Sequence, residues 1–190
     1  MSRLVLIVSA LLFLPVMAPA QNVNLAGWTR DDDASQRFGV TVLVSANSSI
    51  ATTPAVMYRK QIDKQRLLDG LSLAQLIADD RSEFEINAPD IVVEEVAPLR
   101  DSKGSRVTCI AYSPADAGNW ERVAYVEDGD FYLVFTVSAS SEASLKNALP
   151  AFGKLVGSYG KLAVGGSDET IGGRNMAREL VDIAGGLTQK

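Results

Sequence analysis

The sequence predicts an α+β domain in which an antiparallel β-sheet is flanked by helices on both faces, an α/β/α sandwich. Three observations lead there. Four apolar runs of period two follow one another between residues 91 and 137, and turn residues join them as two hairpins. The last run, Phe131-Tyr132-Leu133-Val134-Phe135-Thr136-Val137, is mostly apolar on both sides, as a strand covered on both faces must be. Two helical periods, one over residues 73–84 and one beginning at Ser140-Ser141-Glu142, supply the cover.

The chain opens with Arg3, an apolar run over residues 4–14, Pro15, and the small residues of Ala18-Pro19-Ala20. This has the form of a secretion signal ending at residue 20. The run is about half the ~20 residues that a membrane-spanning helix needs, and no cysteine stands at the cleavage point to take a lipid. Residues 21–162 are then expected to form one domain and residues 163–190 a glycine-rich tail. The expected location is periplasmic or secreted.

Within the domain, Phe38-Gly39-Val40-Thr41-Val42-Leu43-Val44 reads as the first strand and Ala55-Val56-Met57-Tyr58 as a second extended piece. Asp31-Asp32-Asp33 before them reads as a solvated approach. Ser72-Leu73-Ala74-Gln75 has the form of a capping box, and Leu73, Leu76, Ile77 and Phe84 share one side of the helix that it opens. Asn87-Ala88-Pro89 ends that helix, because the residue before a proline avoids helical angles.

The runs over 91–96 and 106–112 flank Ser102-Lys103-Gly104, and those over 120–126 and 131–137 flank Asp128-Gly129, where positive φ angles are expected at both turn residues. The closing helix carries Leu145, Leu149, Phe152, Val156 and Tyr159 on one stripe, with Pro150 expected to kink or divide it. Nine of the fifteen glycines follow Pro150. Met176, Leu180, Ile183 and Leu187 could line one face of a short helix in the tail, expected to dock on its own domain, with a disordered tail and a partner-binding helix as the alternatives.

Composition narrows the chemistry. The chain has no histidine, which removes Ser-His and Cys-His catalytic arrangements and histidine metal sites. Its net charge of −5, or −6 without the leader cation Arg3, disfavours nucleic acid and anionic lipid as partners. Cys109 is the only cysteine, so no internal disulfide forms, and its strand-like setting reads as a small buried hydrophobe.

The dense carboxylate groups Asp31-Asp32-Asp33 and Glu127-Asp128-Gly129-Asp130 lack the spacing of an EF-hand loop and read as a solvated segment and a hairpin turn. Glu94 and Glu95 are adjacent in a strand, so they point to opposite faces and form no acid–base pair. No catalytic serine motif or phosphate-cradling loop stands in the right context. No metal or other cofactor is expected. Asn47-Ser48-Ser49 fits a glycosylation acceptor, which has meaning only in a eukaryotic host.

The one basic concentration, Arg59, Lys60, Lys64 and Arg66, reads first as a solvated face. If it meets a partner, Arg59 and Lys60 are the expected contacts, with Tyr58 or Trp28 as exposed aromatic neighbours.

The order strand, strand, helix, two hairpins, long helix resembles the PsbP-like fold family. The resemblance is carried by Trp120-Glu121-Arg122-Val123-Ala124-Tyr125, Phe131-Tyr132-Leu133-Val134-Phe135, Ala148-Leu149-Pro150-Ala151-Phe152 and Ser158, similar to that family's closing hairpin and helix. It extends over residues 38–162. It implies a sheet with helices on both sides, in a group of mostly non-enzymatic accessory and binding proteins. The tail beyond Leu162 departs from the pattern. No ligand residues carry over, and metal sites proposed for photosynthetic members cannot be transferred to a chain without histidine.

The expectation is therefore an exported, non-catalytic accessory or binding protein of the bacterial envelope. It would act by protein–protein contact, without stable membrane insertion. The competing expectations are a carboxylate-based periplasmic hydrolase without histidine, and a structural homodimer joined through a sheet edge or the tail helix.

Overall fold

The computed structural model describes residues 25–158, except 68–69 and 116–117, and among these described residues there are seven strands and three α-helices. The expected leader (1–20) and tail (163–190) lie outside the described residues. In chain order the elements are β1 (Trp28–Arg30), α1 (Asp32–Phe38), β2 (Thr41–Ser45), β3 (Ala55–Asp63), α2 (Leu73–Asn87), β4 (Val92–Arg100), β5 (Arg106–Ser113), β6 (Trp120–Asp128), β7 (Phe131–Ala139) and α3 (Glu142–Ser158). The fold is α+β, with all strands in one antiparallel sheet ordered β1-β2-β3-β7-β6-β5-β4.

Strand β7, apolar on both sides, is the fourth of seven and pairs along its full length with β3 and β6. Its alternate residues enter different clusters. Leu133, Phe135 and Val137 share one with Met57, Cys109, Ala124 and the α3 side chains Leu145, Phe152 and Val156. Tyr132 and Val134 share another with Ile110, Tyr112, Val123, Tyr125 and Leu76 of α2. A third cluster joins Ala34 and Phe38 of α1 to Val42, Val44, Val56 and Tyr58.

Local chemistry fixes the ends of these elements. Ser72 Oγ accepts from the Gln75 N–H at 3.3 Å while Gln75 Oε1 accepts from the Ser72 N–H at 2.9 Å, the reciprocal box that the sequence predicts. Gly129 (φ 55°) is the first of two residues linking β6 to β7, the glycine placement of a type II′ turn. Asp128 does not share the positive φ expected of it, because it still pairs with Phe131 as the last residue of β6.

Three other expectations are corrected. Phe38 ends α1 instead of starting a strand. Asp31 caps that helix by accepting from the Ala34 N–H at 2.9 Å, and Gly39 (φ 64°) terminates it in a left-handed conformation. Strand β3 runs through the basic stretch to Asp63 before one 3₁₀ turn, Lys64–Arg66. Of the two outcomes expected at Pro150, division of the helix does not occur, since α3 runs through it as one helix.

Candidate functional site

Two places concentrate unusual chemistry. The first is a polar cluster within the layer between the sheet and α2. Tyr112 on β5, Glu121 on β6 and Ser138 on β7 stand directly opposite one another. One register step along, Thr136 stands opposite Tyr58 of β3, and Tyr125 lies four residues beyond Glu121 on the same side of β6. All six are buried. Phe84 of α2 stacks on Tyr112 with ring centroids 3.9 Å apart, so the helix forms a lid over this part of the sheet.

Glu121 is 2% exposed, and neither of its carboxylate oxygens has a hydrogen-bond partner. Burial pushes its pKa up from 4.5 to about 7, against the smaller opposing pull of the nearby Ser138 hydroxyl. The hydroxyls of Tyr112 and Tyr125 are also buried without partners. Burial raises Tyr112 to about 12 and moves Tyr125 further upward, reinforced by the Asp80 carboxyl. Asp80 itself is raised by burial, against the pull of Lys60 and of the Tyr125 hydroxyl.

Near neutral pH this cluster holds an exchangeable proton on Glu121 among neutral phenols. Among the described residues no group of three or more Asp, Glu, His or Cys is placed to hold a metal ion.

The second place is the outer strand β4. Among the described residues it pairs only with β5. Its pairing is regular over residues 92–96 and shifts between Val96 and Leu99, around Pro98. A proline has no N–H to offer a ladder and belongs at an edge or a bulge. At the near end, Ile86 in the last turn of α2 is 75% exposed and Val92 is 49% exposed, the two large hydrophobic side chains most open to solvent among the described residues. The opposite edge, β1, is only three residues long.

The partner residues expected from sequence do not form one patch. Arg59 and Lys60 are neighbours in β3, so their side chains leave opposite faces of the sheet. Tyr58 is buried in the cluster with α1, not exposed. Trp28 is half-buried and packs against the cluster with α3. The nearby Lys64 is occupied elsewhere: its Nζ donates to Glu127 Oε1 and to the Gly129 carbonyl, both at 2.6 Å, and lies over the Tyr132 ring.

Lys103 Nζ pairs with Asp128 Oδ1 at 2.6 Å. The acidic hairpin turn is thus matched by two lysines from distant parts of the chain.

Sequence reasoning passed over Glu121 because Glu between Trp120 and Arg122 reads as the ordinary polar member of an alternating strand. A signal was present in Tyr112, Tyr125 and Thr136, polar groups on strands read as covered. Cys109 is buried, its thiol raised chiefly by that burial, and Sγ donates weakly to the Val107 carbonyl at 3.5 Å.

No family model matches the chain, and no curated protein matches it. Among solved structures, the crystal structure of CalU16 from Micromonospora echinospora is similar at 14% identity, with 72% of this chain and 89% of that chain covered and a TM-score of 0.25. A likeness that loose carries no argument about fold or activity.

Proposed function

We propose that this protein is an exported, non-catalytic accessory or binding protein of the bacterial envelope that works by protein–protein contact at the β4 edge. One observation carries the reading. Among the described residues, a nine-residue outer strand has no neighbour on one side and begins with exposed Val92, six positions after exposed Ile86 in the last turn of α2. Such an edge offers a row of unpaired backbone donors and acceptors to another chain.

The finer architecture belongs to the same proposal. We read α3 as the layer on one face of the sheet and α1 with α2 as the layer on the other, supported by the separate clusters that alternate residues of β7 enter. That sandwich, in this element order, is the PsbP-like arrangement. The leader motif supports export to the periplasm or beyond. Among the described residues no helix is long and apolar enough to cross a membrane.

A photo-reactive amino acid placed at Val92 or Ala97, with Thr29 on β1 as control, tests the reading in native envelopes. Adducts to a discrete partner from the β4 positions alone are expected. No adduct, or equal adducts from Thr29, would sink it.

A carboxylate-dependent hydrolase is the second reading, favoured by Glu121 holding a proton near neutral pH, the state that a general acid needs. It requires substrate to reach a side chain that is 2% exposed beneath α2. Loss of a hydrolytic activity in Glu121→Gln, with the fold intact, would favour it over the binding reading.

A further inference from the structure

We propose that the β4 edge receives an extended, basic strand from a different protein, added antiparallel along residues 92–96. This rests on the reading of β4 as the contact edge, and charge specifies the occupant.

Residues 82–99 contain Glu83, Glu85, Asp90, Glu94 and Glu95 and no lysine or arginine. Their net charge of −5 supplies most of the acidic excess of the chain, which is −6 without the leader cation Arg3, so that excess is concentrated at the end of α2 and along the edge, where Arg106 of β5 reaches Glu95 only at 3.9 Å. Glu94 and Glu95 are exposed and point to opposite faces of the sheet. A strand laid beside them therefore meets one carboxylate above and one below.

The match is a segment with two consecutive cations, flanked by β-branched residues that extend the chain and meet Val92, Val93 and Val96. Opposite charges directly across an antiparallel pair stabilise it, and like charges destabilise it.

The same rule argues against a second copy of this chain. Pairing residues 92–96 with themselves about a twofold axis centred on the stretch sets Glu94 against Glu94. The geometry also limits the length of the added strand. Regular pairing stops after Val96, where the register shifts and Pro98 contributes no N–H. The recognised segment is about five residues long, and specificity falls on its paired cations.

The experiment titrates the purified protein with the peptide Thr-Val-Lys-Lys-Val-Val-Thr, blocked at both ends, and follows amide exchange in β4. Comparison peptides carry Glu-Glu or Ser-Ser in place of Lys-Lys, or N-methyl groups on the pairing edge. The Lys-Lys peptide is expected to bind at least tenfold tighter than the Glu-Glu peptide, to protect β4 amides, and to lose binding on N-methylation. Exchanging both glutamates, Glu94→Lys with Glu95→Lys, is expected to reverse the charge preference while leaving the circular dichroism unchanged.

Equal binding of the N-methylated peptide would reduce the effect to bulk charge and overturn the proposal. So would a dimer in sedimentation that β4 substitutions dissolve, or outer β4 amides that are protected without peptide and exposed by truncation after residue 162. Tight, N-methyl-sensitive binding of the Ser-Ser or Glu-Glu peptide would overturn the basic partner but leave the contact edge standing. If no peptide of any charge protects β4, both fall.

Discussion

Glu121 stands directly opposite Tyr112 across the β5–β6 pair, a carboxyl facing a phenol, and neither side chain has a hydrogen-bond partner. A buried group left in that state favours its neutral form. The native pKa of Glu121 is about 7 against an ordinary 4.5, so between those values the folded protein binds more protons than the unfolded chain. The contribution of Glu121 to stability is therefore fully present below about pH 4.5, falls as pH rises through that window, and levels off above 7.

The shift is worth on the order of 3 kcal/mol. Asp80, also raised by burial, adds a change of the same sign. Glu121→Gln keeps the shape and removes the ionisation, so it is expected to gain about 1–3 kcal/mol over wild type at pH 8 and little at pH 4.5. Urea unfolding of both proteins at the two pH values checks this. A variant no more stable at pH 8 would contradict it.

Asp31 links three segments. Its Oδ1 caps α1 through the Ala34 N–H, its Oδ2 accepts from the Ile50 N–H at 3.1 Å, and its backbone N–H donates to the Val42 carbonyl at 3.0 Å. Asp31→Ala removes the two side-chain bonds together. A cap alone is worth about 1 kcal/mol and a further hydrogen bond from a charged acceptor somewhat more, so a loss of about 2–3 kcal/mol is expected. Exchange at Ala34 and Ile50 should accelerate well before that of β7. Unchanged exchange at Ile50 would separate the loop from the cap.

How legible the fold was depended on how locally each feature is written. Ser72 and Gln75 lie in one turn and cap only each other, so four letters announced α2. The doubly apolar face pattern of β7 announced a central strand, because alternate residues that enter two different apolar clusters leave a mark on every position. Helix α1 left little, since seven residues allow only Ala34 and Phe38 on its buried side and its cap looked like one member of an acidic run.

The extension of β3 was hidden for a different reason. Arg59, Lys60 and Gln61 look like a solvated stretch, yet all three pair with β7. The state of Glu121 is set by burial and by Ser138 on the neighbouring strand, and the outer place of β4 among the described residues is set by strand order. Neither is a property of a window of sequence.

Cys109 is 1% exposed on β5, and burial raises its thiol above the ordinary range. Only the thiolate reacts with disulfide reagents at a useful rate. Labelling of the native protein is expected to be negligible at pH 8, with complete modification in denaturant. A native thiol that labels within minutes would place it at a mobile surface and contradict its packing against the cluster with α3.

Pro150 lies inside α3 with no break in the helix, and its side chain is exposed. It has no N–H to donate to the carbonyl four residues back, and its ring crowds that carbonyl. The buried stripe of Leu145, Ala148, Phe152, Leu155 and Val156 holds the helix on the sheet regardless, so packing outweighs the local penalty. Pro150→Ala restores the backbone donor and removes the ring clash without opening a cavity. Proline in a helix interior costs about 3 kcal/mol relative to alanine. The more flexible unfolded chain of the variant offsets some of the gain. A net stabilisation of about 1–2 kcal/mol is expected in urea unfolding. Phe152→Ala supplies the opposing control: loss of a side chain that is 1% exposed costs about 3–5 kcal/mol. If Pro150→Ala destabilises instead, the proline ring must be setting a bend on which the seating of Phe152 depends, and amide exchange at Lys154 and Leu155 would then accelerate in the variant.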